Sequence, residues 1–219
     1  PITQTKPTEF FINLDVARAE GLSISEKFIK QADNVIDSQK ELAVPPVEKP
    51  EKKMAILQFS DNYILDEIVD GILDRFNESG ILTEYNLSVD RMNSQGDFGI
   101  AQTIAQDIVR KKYDYIMTIS TPSLQVIANA NKKIDHIFGG VTSPYKAGVA
   151  DTPEIHQENL TGVATPQPVA ASIHAMRELF PDAKTIGIVW NPAEANSEVC
   201  TINARNAVGK YGFKLVEST

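Results

Sequence analysis

The feature that most constrains this chain is an alternation between residues 54 and 143, in which short apolar runs stop at polar loops and helical periodicity follows. The first run, Met54 to Phe59, ends at Ser60-Asp61-Asn62. It is followed by Ile68, Ile72, Leu73 and Phe76, spaced as one helix face from about Leu65 to Ser79, with Gly80 to end it. A second strand is expected near Leu82 to Val89, then a helix from Asp97 to Lys112 carrying Ile100, Ile104, Ile108 and Val109. A third strand, Tyr115 to Ile119, opens into Ser120-Thr121-Pro122-Ser123. Thr121 reads as an N-cap and Pro122 as the first helical residue. The fourth run, Ile134 to Val141, ends at Thr142-Ser143-Pro144. Strands alternating with helices make a parallel sheet with helical crossovers, and such sheets bind ligands beyond the carboxyl ends of their strands. The polar tripeptides fall at those ends.

The 219 residues have room for one full domain and part of another. With 29 acidic against 21 basic residues the net charge is −8, so the average field repels phosphate backbones and disfavours nucleic acid as a partner. No apolar run approaches the roughly 20 residues that span a bilayer. Arg110-Lys111-Lys112 and Lys132-Lys133 read as helix ends, where cations suit the dipole. Cys200 is the single cysteine, which excludes an intrachain disulfide and any multi-cysteine zinc site; it reads as a buried thiol on a helix. His136, His156 and His174 are scattered, without metal-ligand spacing. Asp61, Asp66, Glu67 and Asp70 answer a helix dipole better than they form an acid and base pair. Gly139-Gly140 lacks the spacing and lysine of a phosphate loop. Neither a metal nor a cofactor is implied.

Outside this body, Phe10 to Leu14 reads as a strand and Asp15 to Glu20 as a short helix ended by Gly21. A second helix, capped by Ser23 or Ser25, would carry Phe28, Ile29, Ala32, Val35 and Ile36. Residues 38–53, with Pro45, Pro46, Pro50 and many Lys and Glu, read as a linker between an N-terminal segment, 1–37, and a first α/β lobe, 54–165. Residues 166–219 read as a hinge helix and the start of a second lobe. A short strand or crossover at Asn159 to Ala164 closes the first lobe, and residues 166–219 contain a helix from Val169 to Phe180, a strand from Thr185 to Trp190, a helix to about Tyr211 and a strand from Phe213 to Val216. Two parallel strands do not make an independent sheet, so the second lobe reads as incomplete.

The binding signals are helix N-termini. A helix start offers unpaired N–H groups and partial positive charge, enough to hold a carboxylate without Lys or Arg. Thr121-Pro122-Ser123 supplies one on the first lobe and Asn196-Ser197 one on the second. Each alone is an ordinary cap; on facing lobes the two would clamp a small zwitterion.

Several stretches in order carry a resemblance: AILQFSDNYILDEIVDGI, NSQGDFGIAQTIAQDIV, YDYIMTISTPSLQVIANA, IFGGVTSPYKAGV, LTGVATPQPV and KTIGIVWNPAEANS. Together they resemble bacterial ABC-transporter substrate-binding proteins of the type I periplasmic-binding fold, in the family that includes tryptophan and tyrosine binders. Family motifs match Thr121-Pro122, Val141-Thr142-Ser143-Pro144 and Asn191 to Ser197. The first loop departs: where the family often has Glu-His-Pro-x-Leu-Asp, this chain has Asp61-Asn62-Tyr63-Ile64-Leu65-Asp66. FFINLDVARAEGLSISEKFIKQADNVID is similar to the family's closing segment; the simplest reading is a tandem protein with residues 1–37 the tail of a preceding binding domain, a permuted chain being the other, and the resemblance implies that this piece packs on the first lobe.

The resemblance implies an α/β, non-enzymatic, two-lobed solute-binding protein of the bacterial envelope, periplasmic or anchored at the cell surface, that closes on a small ligand, expected to be an amino acid, and partners an ABC permease. Backbone N–H groups at Thr121, Ser123 and Ser197 would hold a carboxylate. Ser60, Asn62 and Thr142 would orient the ligand, Ser143 and Asn196 would complete the lining, and Tyr63 or Phe59 would stack on an apolar group. Two other readings stay open: a ligand-sensing domain of a signalling protein, and an α/β enzyme.

Overall fold

The computed structural model describes residues 10–38 and 50–219, which belong to two separate units. Most of the expected linker, residues 39–49, and the polar start, residues 1–9, lie outside the described residues.

In the first unit, strand β1 (Phe11–Asn13) runs into helix α1 (Leu14–Ala19), a single turn α2 (Glu26–Ile29) follows, and strand β2 (Asn34–Ile36) pairs parallel with β1. Asn13 caps α1 by accepting the N–H groups of Asp15 and Val16, and Gly21 at φ 71° turns the chain away after it. The second helix expected through Ile36 is not formed. Helical spacing and a short β-branched run coincide at Val35-Ile36, and tertiary pairing decides for the strand. Asp33 fixes the change of direction by accepting the Phe10 N–H at 2.7 Å. Phe10 and Phe28 meet edge to face, with ring centroids 5.5 Å apart.

The second unit is built on strand β3 (Lys52–Gln58). Helix α3 (Tyr63–Ser79) follows, ended by Gly80 at φ 72°, and then a one-turn helix α4 (Ile81–Glu84) precedes strand β4 (Leu87–Asn93). The strand expected from Leu82 therefore begins at Leu87. Left-handed Asn86, at φ 48°, makes the turn that sets its start. Helix α5 (Phe98–Lys111), capped by Asp97, leads to β5 (Tyr115–Ile119), α6 (Thr121–Ala130), β6 (Asp135–Val141) and β7 (Leu160–Ala164). All pairings are parallel and the order is β4-β3-β5-β6-β7.

Alternation along β3 sends its side chains into two cores. Ala55, Leu57 and Phe59 pack with Ala101, Ala105 and Ile108 of α5 and with Val126 and Ile127 of α6. Met54 and Ile56 pack on the other face with Val69, Ile68, Ile72 and Phe76 of α3. Both faces covered is the condition under which a parallel strand reads as a continuous apolar run. Phe59 belongs to this core, 4.8 Å from the Phe98 ring, which removes it from the residues free to stack on a ligand.

The second lobe consists of α7 (Val169–Leu179), β8 (Thr185–Val189), α8 (Ala195–Val208), a 3-10 turn (Gly209–Tyr211) and β9 (Lys214–Ser218), with β8 and β9 parallel. Ile173, Ala204, Val208 and Phe213 form its small core under one face of the pair, while Val189, 83% exposed, lies uncovered. Arg177 ties the parts together. Its guanidinium lies 3.7 Å from the Phe213 ring centroid and donates to the carbonyls of Tyr211 (2.8 Å), Pro181 (2.8 Å), Ala183 (2.9 Å) and Gly212 (3.2 Å). Cys200 on α8 is half-buried and burial pushes its thiol pKa up.

His136 lies buried in β6, with Nε2 2.8 Å from Thr118 Oγ1 of β5. Desolvation lowers its pKa from 6.5 to about 4, so the folded protein holds it neutral. Between those values the unfolded chain binds the proton that the folded chain refuses. The contribution to stability is therefore complete above pH 6.5 and is lost as pH falls to about 4, on the order of 3 kcal/mol in total. Urea unfolding across that range is expected to show a steeper acid loss for the wild type than for His136→Asn; parallel curves would mean that His136 titrates normally.

Candidate functional site

In the order β4-β3-β5, strand β3 sends its crossover to one side and has β5 on the other. The loops after β3 and β5 thus diverge, and the crevice between them is where open α/β sheets place ligands. Ser60-Asp61-Asn62 forms one wall. Asn62 caps α3, its Oδ1 accepting the Ile64 N–H at 2.9 Å, and the Ser60 carbonyl accepts Gln58 Nε2 at 2.8 Å. Tyr63, the first residue of α3, is 74% exposed and bonds to Glu67, which raises its pKa.

The loop after β4 braces this wall, a feature that sequence reading did not single out. Buried Ser94 donates from Oγ to the Phe59 carbonyl, and the Gly96 N–H reaches the same carbonyl, both at 2.7 Å. Asn93 Nδ2 donates to Asp61 Oδ1 at 2.7 Å. Two consecutive positive φ angles, 53° at Gln95 and 77° at Gly96, fold the loop back. A Gly-containing polar run after a strand was the only signal of it in the sequence.

The opposite wall is the start of α6. The cap is Ser120, with Thr121 and Pro122 the first two helical residues, one position earlier than the spacing implies. Ser120 has φ 92° and ψ 161°, a region populated almost only by glycine. Three bonds hold it there: its N–H to the Gly139 carbonyl (3.1 Å), its carbonyl from the Leu124 N–H (3.2 Å), and its Oγ to Ser123 Oγ (3.5 Å). The consequence is an abrupt strand-to-helix turn at the sheet edge, heading a helix whose first turn carries no acidic residue.

Thr121, Ser123 and Thr142 are brought together but are buried. The Thr142 N–H donates to Thr121 Oγ1 at 3.4 Å, joining the β6 loop to the α6 start. The hydroxyls of Thr121 and Ser123 are thus engaged within the wall. The first-turn N–H groups of Thr121 and Ser123 have no acceptor within the helix. Ser143 Oγ accepts the Lys146 N–H at 3.3 Å and shapes the next turn. Nothing in a serine side chain announces the strain at Ser120 in sequence.

Asn196 and Ser197 lie on the other lobe, half-buried at the start of α8, where Ser197 Oγ accepts the Asn191 N–H at 2.9 Å. Helices α6 and α8, from different sheets, lie in contact. Among the described residues no three His, Cys, Asp or Glu side chains group as a metal site, and no helix is long and apolar enough to cross a membrane.

Glycine at position 120 would adopt the observed angles without strain, offset in part by its greater chain entropy. Ser120→Gly is therefore expected to stabilise the fold by about 0.5 to 2 kcal/mol. Denaturant unfolding checks this, and a loss of stability would show that the serine bonds outweigh the strain.

Comparison with known proteins gives a consistent picture. The model of a family described as ABC transporter substrate binding protein matches residues 53–219. The tyrosine-binding protein of Clostridioides difficile (strain R20291) is 31% identical over 169 residues, covering 77% of this chain and 49% of the relative. A Streptococcus pneumonia ABC domain in complex with L-Trp is 28% identical with a TM-score of 0.72, over 77% of this chain and 57% of that one. The ligand-free, open form of a Clostridium difficile substrate binding protein with adhesive properties is 33% identical with a TM-score of 0.59, over 76% and 57% of the two chains. This chain spans about half the length of the relatives it matches.

Proposed function

The chain belongs to the ABC transporter substrate-binding protein family, with the type I periplasmic-binding fold, and from that premise we propose that it is the ligand-capturing component of an importer, closing two lobes on an aromatic amino acid. The observation that carries the reading is the contact between α6 and α8, helices of separate sheets, with α6 starting at the end of β5 next to the β3/β5 switch point. A helix start with no acid in its first turn suits a carboxylate, and α6 presents one at the strand ends. Asn62, Ser60 and Thr142 offer neutral polar groups around it, exposed Tyr63 offers a ring at its mouth, and Asn196 and Ser197 close the site from the second lobe. The relatives' ligands, tyrosine by one name and L-Trp in one complex, support an aromatic amino acid as the cargo.

Binding across two lobes selects the closed population by the ligand's contacts in that state. Residues 164–168 form one connection between the lobes; Pro166 and Pro168 flank Gln167 there, and the Thr165 N–H is tied to the Val141 carbonyl at 2.7 Å. The bend is thus anchored on the sheet and stiffened next to it. The closed form would be presented to a permease outside the cytoplasmic membrane. The N-terminal unit, similar to the family's closing segment, would belong to a preceding binding domain of a tandem protein.

A thermal-shift and calorimetric screen of the protein with both lobes present tests this reading. Tyrosine or tryptophan at about 100 times Kd is expected to add about 2.7 kcal/mol of stability, whereas sugars, nucleosides and phosphate add nothing. Thr121→Val, which removes the acceptor of the Thr142 N–H, is expected to weaken amino-acid binding at least about tenfold, equivalent to 1.4 kcal/mol. Unchanged affinity in that variant would sink the placement of the ligand at α6.

A further inference from the structure

Strand β4 ends one side of the five-stranded sheet, and its outer edge is bare among the described residues. It pairs with β3 without a break from Leu87 to Asn93 and holds neither proline nor bulge. The Asn86 carbonyl accepts the Lys52 N–H at 3.0 Å, and the Ser94 N–H reaches the Gln58 carbonyl at 3.1 Å. Main-chain direction alternates along a strand, so the even-numbered residues bond to β3, and Leu87, Val89 and Arg91 turn N–H and C=O outward. Folded proteins blunt such edges with bulges, prolines or projecting charges. The opposite edge follows that rule, because the pairing of β7 with β6 shifts register between Phe138 and Val141. The two charges of β4 are instead drawn back over the faces of the sheet. Asp90 Oδ2 accepts the Tyr113 hydroxyl at 2.6 Å on the α5 side, and Arg91 donates to Asp70 of α3 at 2.9 Å. Beside the edge, a cavity of about 410 Å³ lined by Met92, Thr103, Ile104 and Asp107 leaves the approach open.

An edge of this kind takes another strand, and its side chains select which. A second copy related by a two-fold axis adds antiparallel, so that each residue meets one from the same face of the sheet. With the axis at Val89, Val89 meets its own counterpart and Leu87 meets Arg91 of the second copy, each pair bonding through the main-chain groups that point outward. Ser88 then lies opposite Asp90 of the second copy in the closer kind of pair, with Cα atoms about 4.5 Å apart. The hydroxyl donates and the carboxylate accepts, and symmetry makes the contact twice. Ser88 is exposed and its present bond, to the Lys52 carbonyl, is long at 3.3 Å, while Tyr113 takes Oδ2 of Asp90 and leaves Oδ1. Other registers fare worse. An axis at Asp90 sets two carboxylates opposite each other, an axis at Arg91 sets two guanidinium groups opposite, and an axis at Ser88 runs the pairing into left-handed Asn86, where the strand has not begun.

We propose that the β4 edge is a self-association surface, on which a second copy of this chain adds its own β4 antiparallel about Val89 and joins two five-stranded sheets into one. The added strands run the other way, so the two crevices open at opposite ends of the joined sheet and neither covers the other. The contact is one strand wide, which places the dimer among small, weak interfaces. It stands independently of what the crevice binds.

Sedimentation equilibrium of the full chain from about 10 µM to 1 mM, in about 0.3 M salt to screen the net charge of −8 on each copy, tests it. The wild type is expected to pass from monomer toward dimer within that range. Val89→Pro removes an outward N–H and leaves the bonds to β3, a change that edge strands tolerate. It is expected to stay folded by circular dichroism, with a lower melting temperature because Val89 packs toward α3, and to remain monomeric. Ser88→Lys, set opposite Asp90 of the second copy, is expected to tighten the dimer at least about threefold, and Ser88→Asp to weaken it at least about tenfold. Both lie at an exposed position and keep the test valid if the proline variant fails to fold. A wild type that is monomeric throughout overturns the proposal and leaves the edge to solvent or to a strand of another protein. Dimers of equal strength in the wild type, Ser88→Lys and Ser88→Asp, or in a folded Val89→Pro, place the contact elsewhere and overturn it as well.

Discussion

Everything in the larger unit depends on β3 being paired on both edges and buried on both faces. Seven residues, Lys52 to Gln58, are flanked by β4 and β5 and feed two cores, one under α5 and α6 and one under α3. A strand in that position cannot slip by one residue, because a slip would exchange Met54 and Ile56 for Ala55 and Leu57 across the sheet. The fixed register in turn fixes where β3 ends, and with it the height of Ser60 and Asn62 relative to Ser120. The crevice is thus a by-product of strand order: once β4 and β5 occupy opposite sides, the loops after β3 and β5 must part.

The walls of the crevice are held by neutral groups. Ser94 and Gly96 both use the Phe59 carbonyl, Thr121 accepts from Thr142, and Ser120 bonds to Gly139, Leu124 and Ser123. Ion pairs lie elsewhere, as at Lys52 with Asp114 and Arg205 with Glu217. The last of these is bidentate, lowers the Glu217 pKa and lies near the Trp190 ring, so the β9 edge is tied to α8. Separation of structural charges from the strand ends leaves the field in the crevice to helix termini. On the proposed reading, the starts of α6 and α8 divide the hold on an amino acid between the lobes.

Much of this was legible in the residues and some was not, for reasons that differ. Asn62 and Asp97 are side-chain caps ahead of long apolar stripes, so α3 and α5 could be placed from sequence to within two residues of their starts. Tyr115 to Ile119 was exact because Asp114 and Ser120 bound it sharply. Val35-Ile36 misled because two apolar residues fit a helix face and a strand equally well, and only pairing with β1 separates them. Leu82 misled because Gly80 was read as an end, whereas it also begins a single turn. At the site, Thr121 and Ser123 were found by their Pro122 signature, but the burial of their hydroxyls follows from the β6 loop folding over them. The angles of Ser120 are a property of the assembled backbone and exist in no local pattern.

The abrupt turn at Ser120 bears on how such a protein could change over generations. It aims main-chain amides, and a main-chain amide survives every substitution of its own side chain except proline. Whatever group docks at the start of α6 is therefore insulated from drift at Ser123 and, so long as Thr121 keeps the hydroxyl that joins it to the β6 loop, at Thr121 too, while the exposed ring of Tyr63 is open to it. A lineage with this architecture can trade one side chain for another at the mouth, exploring new cargo, without putting at risk the hold on the part that all such cargo shares.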